Sequence, residues 1–169
     1  MRANRKKRYW LWILGGLLAA FALWNAVWFF GYYLRYQHYI KEDYRSAGWN
    51  SAFVVRTGND ENWFTCSVGT PEYLRFSGNL SVVSRYHTYF MDIWPEHPDG
   101  EGRYAVGVGY PSGLDAEDPS AHATGYTFCI RADLTPEDDA GLSLVEQYRD
   151  EIEELFAVAR EEWDIDASA

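Results

Sequence analysis

Residues Tyr9–Leu34 read YWLWILGGLLAAFALWNAVWFFGYYL, 26 positions without a formal charge. Wound as an α-helix, the stretch would extend roughly 39 Å, more than the ~30 Å hydrocarbon core of a bilayer. A helix closes its own backbone hydrogen bonds, which is what lipid demands of any spanning segment. Tyr9, Trp10 and Trp12 crowd one end, and Trp28, Phe29, Phe30, Tyr32 and Tyr33 crowd the other. Amphipathic rings favour both membrane surfaces, so the stretch reads as a transmembrane helix over residues 9–34 with two aromatic belts.

The flanks orient it. Arg2, Arg5, Lys6, Lys7, Arg8 and Arg35 are the only charged residues among the first 35, leaving 9 basic residues (15 − 6) and all 25 acidic ones beyond, a net −16 (9 − 25). The basic leader 1–8 is expected to stay in the cytoplasm and the acidic remainder outside it, giving a single-pass protein of the cell membrane. Ala20-Phe21-Ala22 offers the small-residue site of a cleaved signal peptide. Leu23–Leu34 stays apolar beyond that site, however, which favours a retained anchor. Gly15, Ala19, Ala22 and Ala26 form a small-residue stripe with Asn25 beside it, suited to a homodimer or a partner membrane helix. Such residues are also common in any apolar span.

Outward from the anchor, Tyr32, Tyr36, Tyr39 or Ile40, and Tyr44 keep a helical spacing, so residues 35–49 are expected to form a juxtamembrane helical stalk ending at Gly48. An irregular linker is the alternative. From residue 50 the pattern turns to short β-type runs near Ala52–Thr57, Trp63–Val68, Leu74–Val83, Thr88–Trp94, Arg103–Tyr110 and Gly125–Ala132. Asp99-Gly100 is a favoured hairpin turn. Centring it there sets Ile93 opposite Val106, Met91 opposite Val108 and Tyr89 opposite Tyr110, with Trp94 facing Ala105, Asp92 facing Gly107 and Phe90 facing Gly109. Large rings opposite glycine can lie over exposed backbone, and Phe90 and Trp94 are equally the candidate binding surface of that face. The long connection Pro111–Thr124 reads as disordered or functional.

Thr135 as cap, Pro136 at the first position and Glu137 to Asp139 near the positive end of the dipole mark a C-terminal helix. Ser143 with Glu146 offers a second capping box. Leu142, Val145, Tyr148, Ile152, Leu155, Phe156, Ala159 and Trp163 give that helix its apolar stripe, and its acids lie mostly off it. The fold class is thus α+β: a transmembrane helix, then an antiparallel sheet of five or six strands packed by one long amphipathic helix, the domain spanning 50–169.

The chemistry is mostly negative. Cys66 and Cys129 could form a disulfide in an oxidising compartment, but strand alternation places them on opposite faces. There is no CxxC and no HExxH, and His38, His87, His97 and His122 lack short metal spacings. His97 with Glu96, Asp99 and Glu101 reads as a polar turn, and Asp115, Glu117 and Asp118 lack the rest of a calcium loop. No lysine follows Lys41, which removes Schiff-base and Ser–Lys chemistry from the outer domain. The negative charge disfavours nucleic acid. No catalytic, metal or cofactor residue is assigned.

Phe76–Val83 (FSGNLSVV), Ile93-Trp94-Pro95 and Glu151–Phe156 (EIEELF) with Trp163 resemble small membrane-anchored bacterial proteins of unknown function. The resemblance covers most of the outer domain and implies no activity. The expectation is a non-enzymatic envelope protein with a binding or accessory role. A carboxylate- or metal-dependent extracytoplasmic hydrolase is the alternative.

Overall fold

A computed structural model describes residues 2–48, 52–74, 76–85, 88–94, 103–108, 125–131 and 133–165. The apolar run is helical. Helix α1 (Arg2–Trp28) passes into one π-helical turn (Phe29–Tyr33) and a last α-helical turn, α2 (Leu34–Gln37). Residues 9–37 make a rod long and apolar enough to cross a membrane, and the rest of the protein buries none of its apolar window. Leu11, Leu17, Phe21 and Leu23 are 62–66 % exposed. This is not the core helix of a soluble domain.

Seven strands follow: β1 (Arg45–Ser46), β2 (Ala52–Gly58), β3 (Trp63–Gly69), β4 (Asn79–Ser84), β5 (Tyr89–Trp94), β6 (Arg103–Val108) and β7 (Tyr126–Ile130). They form one antiparallel meander in chain order. The count exceeds the expected five or six because of β1, which pairs Arg45 with Val54 and Ser46 with Phe53. Two residues are too short to show an alternation, so only the structure reveals them. Elsewhere period two governs burial: Phe64, Cys66 and Val68 point inward from β3, Leu80 and Val82 from β4, Met91 and Ile93 from β5, and Tyr104, Val106 and Val108 from β6.

The C-terminal segment covers that face as two helices rather than one. Helix α3 (Asp139–Gln147) packs against β7 and α4 (Arg149–Trp163) against β3, β4 and β5. Tyr148 separates them at φ −113°, ψ 28°. Ile152, Leu155, Phe156, Ala159 and Trp163 are buried, and the Phe156 ring lies 4.8 Å from that of Tyr104. Neither expected cap is used. Asp138 caps α3 by accepting from the Gly141 N–H at 2.8 Å, while Ser143 lies inside α3. Thr135 and Pro136 serve the sheet edge instead. Pro136 bridges Ile130, the Arg131 N–H donates to the Thr135 carbonyl at 2.8 Å, and the Glu137 N–H donates to that of Cys129 at 2.9 Å. Proline tolerates a sheet edge as well as a helix start, and the unpaired edge of β7 claims it.

The β5–β6 register is shifted by two residues from the expected one: Tyr89 faces Val108, Met91 faces Val106 and Ile93 faces Tyr104. On the other face Phe90 meets Gly107, Asp92 meets Ala105 and Trp94 meets Arg103. A slip of two keeps every side chain on its face, so apolar matching could not separate the two registers. The Asp99-Gly100 turn, Pro111–Thr124 and the cluster around His97 lie outside the described residues.

Leu155 is fully buried and Leu142 is 57 % exposed. Leu155→Ala is therefore expected to destabilise the domain by about 2–5 kcal/mol, and Leu142→Ala by about 0.5 kcal/mol or less. Chemical denaturation of the detergent-solubilised chain measures both, and equal losses would contradict the packing of α4.

Candidate functional site

The stalk expected over residues 35–49 does not exist as a spacer. The helix ends at Gln37, and the chain folds back into the domain as a strap. Tyr36 and Tyr44 are 6 % and 9 % exposed. The aromatic spacing marked residues that dock on the domain, not one face of a lifted helix. A buried phenol needs a partner. The Tyr36 hydroxyl donates to the Gly78 carbonyl at 3.0 Å. A side chain at Gly78 would meet the Gly69 carbonyl and, at 3.0 Å, the Tyr36 ring, so this close approach requires glycine.

Tyr44 sits at the centre of a second buried group. Its hydroxyl donates to Glu162 Oε1 at 3.1 Å and accepts from the Trp163 indole N–H at 2.8 Å. Lys41 Nζ lies 3.1 Å from the same carboxylate oxygen. Burial first, and then the Glu162 charge, raise the Tyr44 pKa. The same two causes push the Cys66 thiol up to about 12. On α4, Glu154 accepts from the Tyr89 hydroxyl at 2.7 Å and from Asn62 Nδ2 at 2.9 Å. Burial and then that hydrogen bond raise the Tyr89 pKa. These phenols and the thiol stay protonated at neutral pH. The two phenols are donors in a clamp between strap, sheet and helix, and the thiol beside them is a buried, protonated group rather than an activated nucleophile.

The two cysteines do not bridge. Cys66 shares the inward row of Val82, Met91, Val106 and Phe128, whereas Cys129 pairs with Ala105 on the opposite face. Four strand spacings, roughly 19 Å, separate β3 from β7, and a disulfide spans less than ~7 Å between Cα atoms. Neither cysteine is in a disulfide.

The β3–β4 connection reaches back to the N-terminal apolar helix. The Trp24 ring lies 4.6 Å from Phe76, Trp28 lies 5.4 Å from Tyr73, and Tyr32 lies 4.9 Å from Phe76. A step of four residues overshoots an α-helical turn by ~40°. A stripe at 24, 28, 32 and 36 would therefore wind round a regular helix. The wider π turn at Phe29–Tyr33 offsets that drift and keeps all four rings on the domain side. The connection is closed on itself, with the Phe76 N–H donating to the Glu72 carbonyl at 3.0 Å. Phe76 adopts φ 57°, a left-handed conformation that bulky residues rarely take without a packing reason. Leu74 beside it is 79 % exposed. The Trp28 indole N–H is buried here with no acceptor among the described residues. None of these contacts, 44 to 52 residues apart in the chain, could be read from local pattern.

The candidate residues Phe90 and Trp94 lie on the sheet face away from the helices. Phe90 covers Gly107, whose added Cβ would run into its ring, so the covering role is realised there. Trp94 is half-buried opposite Arg103. Around them the face is small and polar: Thr65, Ser67, Ser81, Asn79 and Asp92, the last two joined by a 3.2 Å hydrogen bond, with Arg56 stacked on Trp63 at 4.1 Å. The small-residue stripe keeps its exposure, and nothing approaches Gly15 within 4 Å. Asn25 donates to the Phe21 carbonyl of its own helix at 2.7 Å. An open groove of about 700 Å³ runs between Asp133–Pro136 and Leu142–Arg149. Among the described residues no three His, Cys, Asp or Glu side chains converge as a metal site would require.

No family model matches the chain, and no curated protein or solved structure is significantly similar to it. Its function is read from its own geometry alone.

Two outcomes follow from the clamp. In the native chain a thiol reagent is expected to modify half-buried Cys129 well before fully buried Cys66, both reacting on denaturation. Protection of both until reduction would contradict the separation. The Cys66 pKa stands at about 12 in the fold against an ordinary 9.0. A raised folded pKa means a contribution that is whole below the unfolded value and lost as pH rises through the folded one. Stability is therefore expected to fall between pH 9 and 12, less steeply in Cys66→Ala. A pH titration of the denaturation midpoint reads the slope.

Proposed function

We propose that the chain is a single-pass membrane protein whose acidic C-terminal domain lies outside the cytoplasm and serves as a non-enzymatic binding or accessory component of the cell envelope. The observation that carries this reading is the apolar helix over residues 9–37, whose apolar window is left unburied by the described residues. Lipid is the environment that satisfies it. The Lys/Arg-rich leader on one side and the net −16 on the other support the orientation.

The binding role draws on the sheet. A helix layer covers one face, and the other presents hydroxyls, an amide and a carboxylate among the rings of Trp63, Phe90 and Trp94. Rings among polar groups are the composition of a contact surface for a polar partner. The exposed stripe Gly15, Ala19, Ala22 and Ala26 offers a second contact, within the bilayer, to another copy or another helix. The buried, protonated Tyr44 and Cys66 and the half-buried, hydrogen-bonded Tyr89 support a structural use of those groups.

Orientation is tested by a C-terminal tag on the full chain in intact cells. A membrane-impermeant reagent is expected to reach the tag without permeabilisation. Labelling only after the membrane is opened would contradict the assigned topology.

A further inference from the structure

We propose that the β3–β4 connection, described at residues 71–74 and 76–78, is a second membrane contact whose tip reaches the headgroup region of the outer leaflet beside the transmembrane helix. The inference rests on the anchor reading above and adds a partner, the lipid itself, for a defined surface of the domain.

Depth carries it. Arg8 resists entry into hydrocarbon, so Tyr9 sits no farther outward than the inner boundary of the core. Trp24 lies 15 residues beyond Tyr9, roughly 22 Å along the helix axis. A hydrocarbon core of ~30 Å then continues about 7 Å past Trp24, and tilt only lowers Trp24 further. Phe76 packs on Trp24 at 4.6 Å, and Tyr73 packs on Trp28, one turn higher, at 5.4 Å. Phe76 also packs on Tyr32 at 4.9 Å, so these loop rings lie between the depths of Trp24 and Tyr32, centred on Trp28 and close to the outer boundary.

The loop is built for that place. Leu74 is 79 % and Tyr73 36 % exposed, while Pro71 and Gly78 at its base are buried. A leucine at the tip with aromatic rings beside it is what an interfacial contact uses. Tyr73 and Phe76 set the loop against the helix, and the sequence sets charges at Glu72 and Arg75 on either side of the tip, which suits headgroup level rather than the hydrocarbon. Two backbone bonds close the loop on itself, the Glu72 N–H donating to the Ser77 carbonyl at 3.4 Å and the Phe76 N–H to the Glu72 carbonyl at 3.0 Å, which lowers the cost of bringing its backbone near lipid.

The test uses the full chain in phosphatidylcholine and phosphatidylglycerol vesicles with brominated acyl chains. Single labels are placed in a Cys129→Ser background, where Cys66 is fully buried. An environment-sensitive fluorophore at Leu74→Cys is expected to shift to the blue and lose about two-fold of its emission to the brominated lipid, as a group within the leaflet does. A label at Ala19→Cys, inside the helix, is expected to be quenched as well. One at Asp60→Cys, in the turn at the far end of β3, is expected to keep its emission. Quenching at Ala19 without quenching at Leu74 would overturn this proposal and leave the anchor standing. Loss of quenching at both would overturn the anchor and the loop contact together. Equal quenching at Leu74 and Asp60 would also overturn the proposal, since the domain would then meet lipid without a preferred loop.

Discussion

An apolar helix without a formal charge over its central 26 residues has no stable place in water. The domain touches only its outer end, at Trp24, Trp28 and Tyr32, and among the described residues buries none of its apolar window, which is left to the surroundings. That constraint organises the chain. The basic leader holds one end, and the first acidic residue appears only at Glu42, after the helix has ended. The domain begins where the helix stops, without a spacer. Tyr36 on α2 and Tyr44 on the strap are both core residues of the domain, although Tyr36 belongs to the apolar rod over residues 9–37.

The sheet and the strap close the molecule in different ways. Each strand of the meander pairs with its neighbour in sequence, so the sheet is assembled from local hairpins, the contacts with the least loop-closure cost. The long-range closure falls to Tyr44, which meets Glu162 and Trp163 at the end of α4. Burying a carboxylate is costly unless its oxygens are engaged. Here Tyr44 and Lys41 engage one of them, and both come from the strap. The same carboxylate thus ties α4 to the strap.

What sequence could show follows the length of each pattern. Six strands were legible because alternation over five to seven residues is a strong signal. β1 was not, because two residues carry none. Alternation also assigned Cys66 and Cys129 to opposite faces, but their distance depends on the strand order. The hairpin register erred by two because apolar matching repeats every two residues. Thr135 and Pro136 carry a helix-start signal that the β7 edge overrides, and no local signal marks the break at Tyr148. Tyr32, Tyr36 and Tyr44 were visible as a periodic set, yet periodicity does not name a partner. Trp24 and Trp28 read as ordinary membrane aromatics, and only the fold brings Phe76 and Tyr73 to them. Alternation sets Phe90 opposite a glycine, Gly109 on the expected register and Gly107 in the fold.

The central claim is that residues 9–37 lie in lipid and carry the domain with them. Alkaline carbonate extraction of membranes from cells producing the full chain tests it most directly. The protein is expected to stay in the membrane pellet and to enter solution only with detergent. Release into the carbonate supernatant as a detergent-free soluble chain would contradict it.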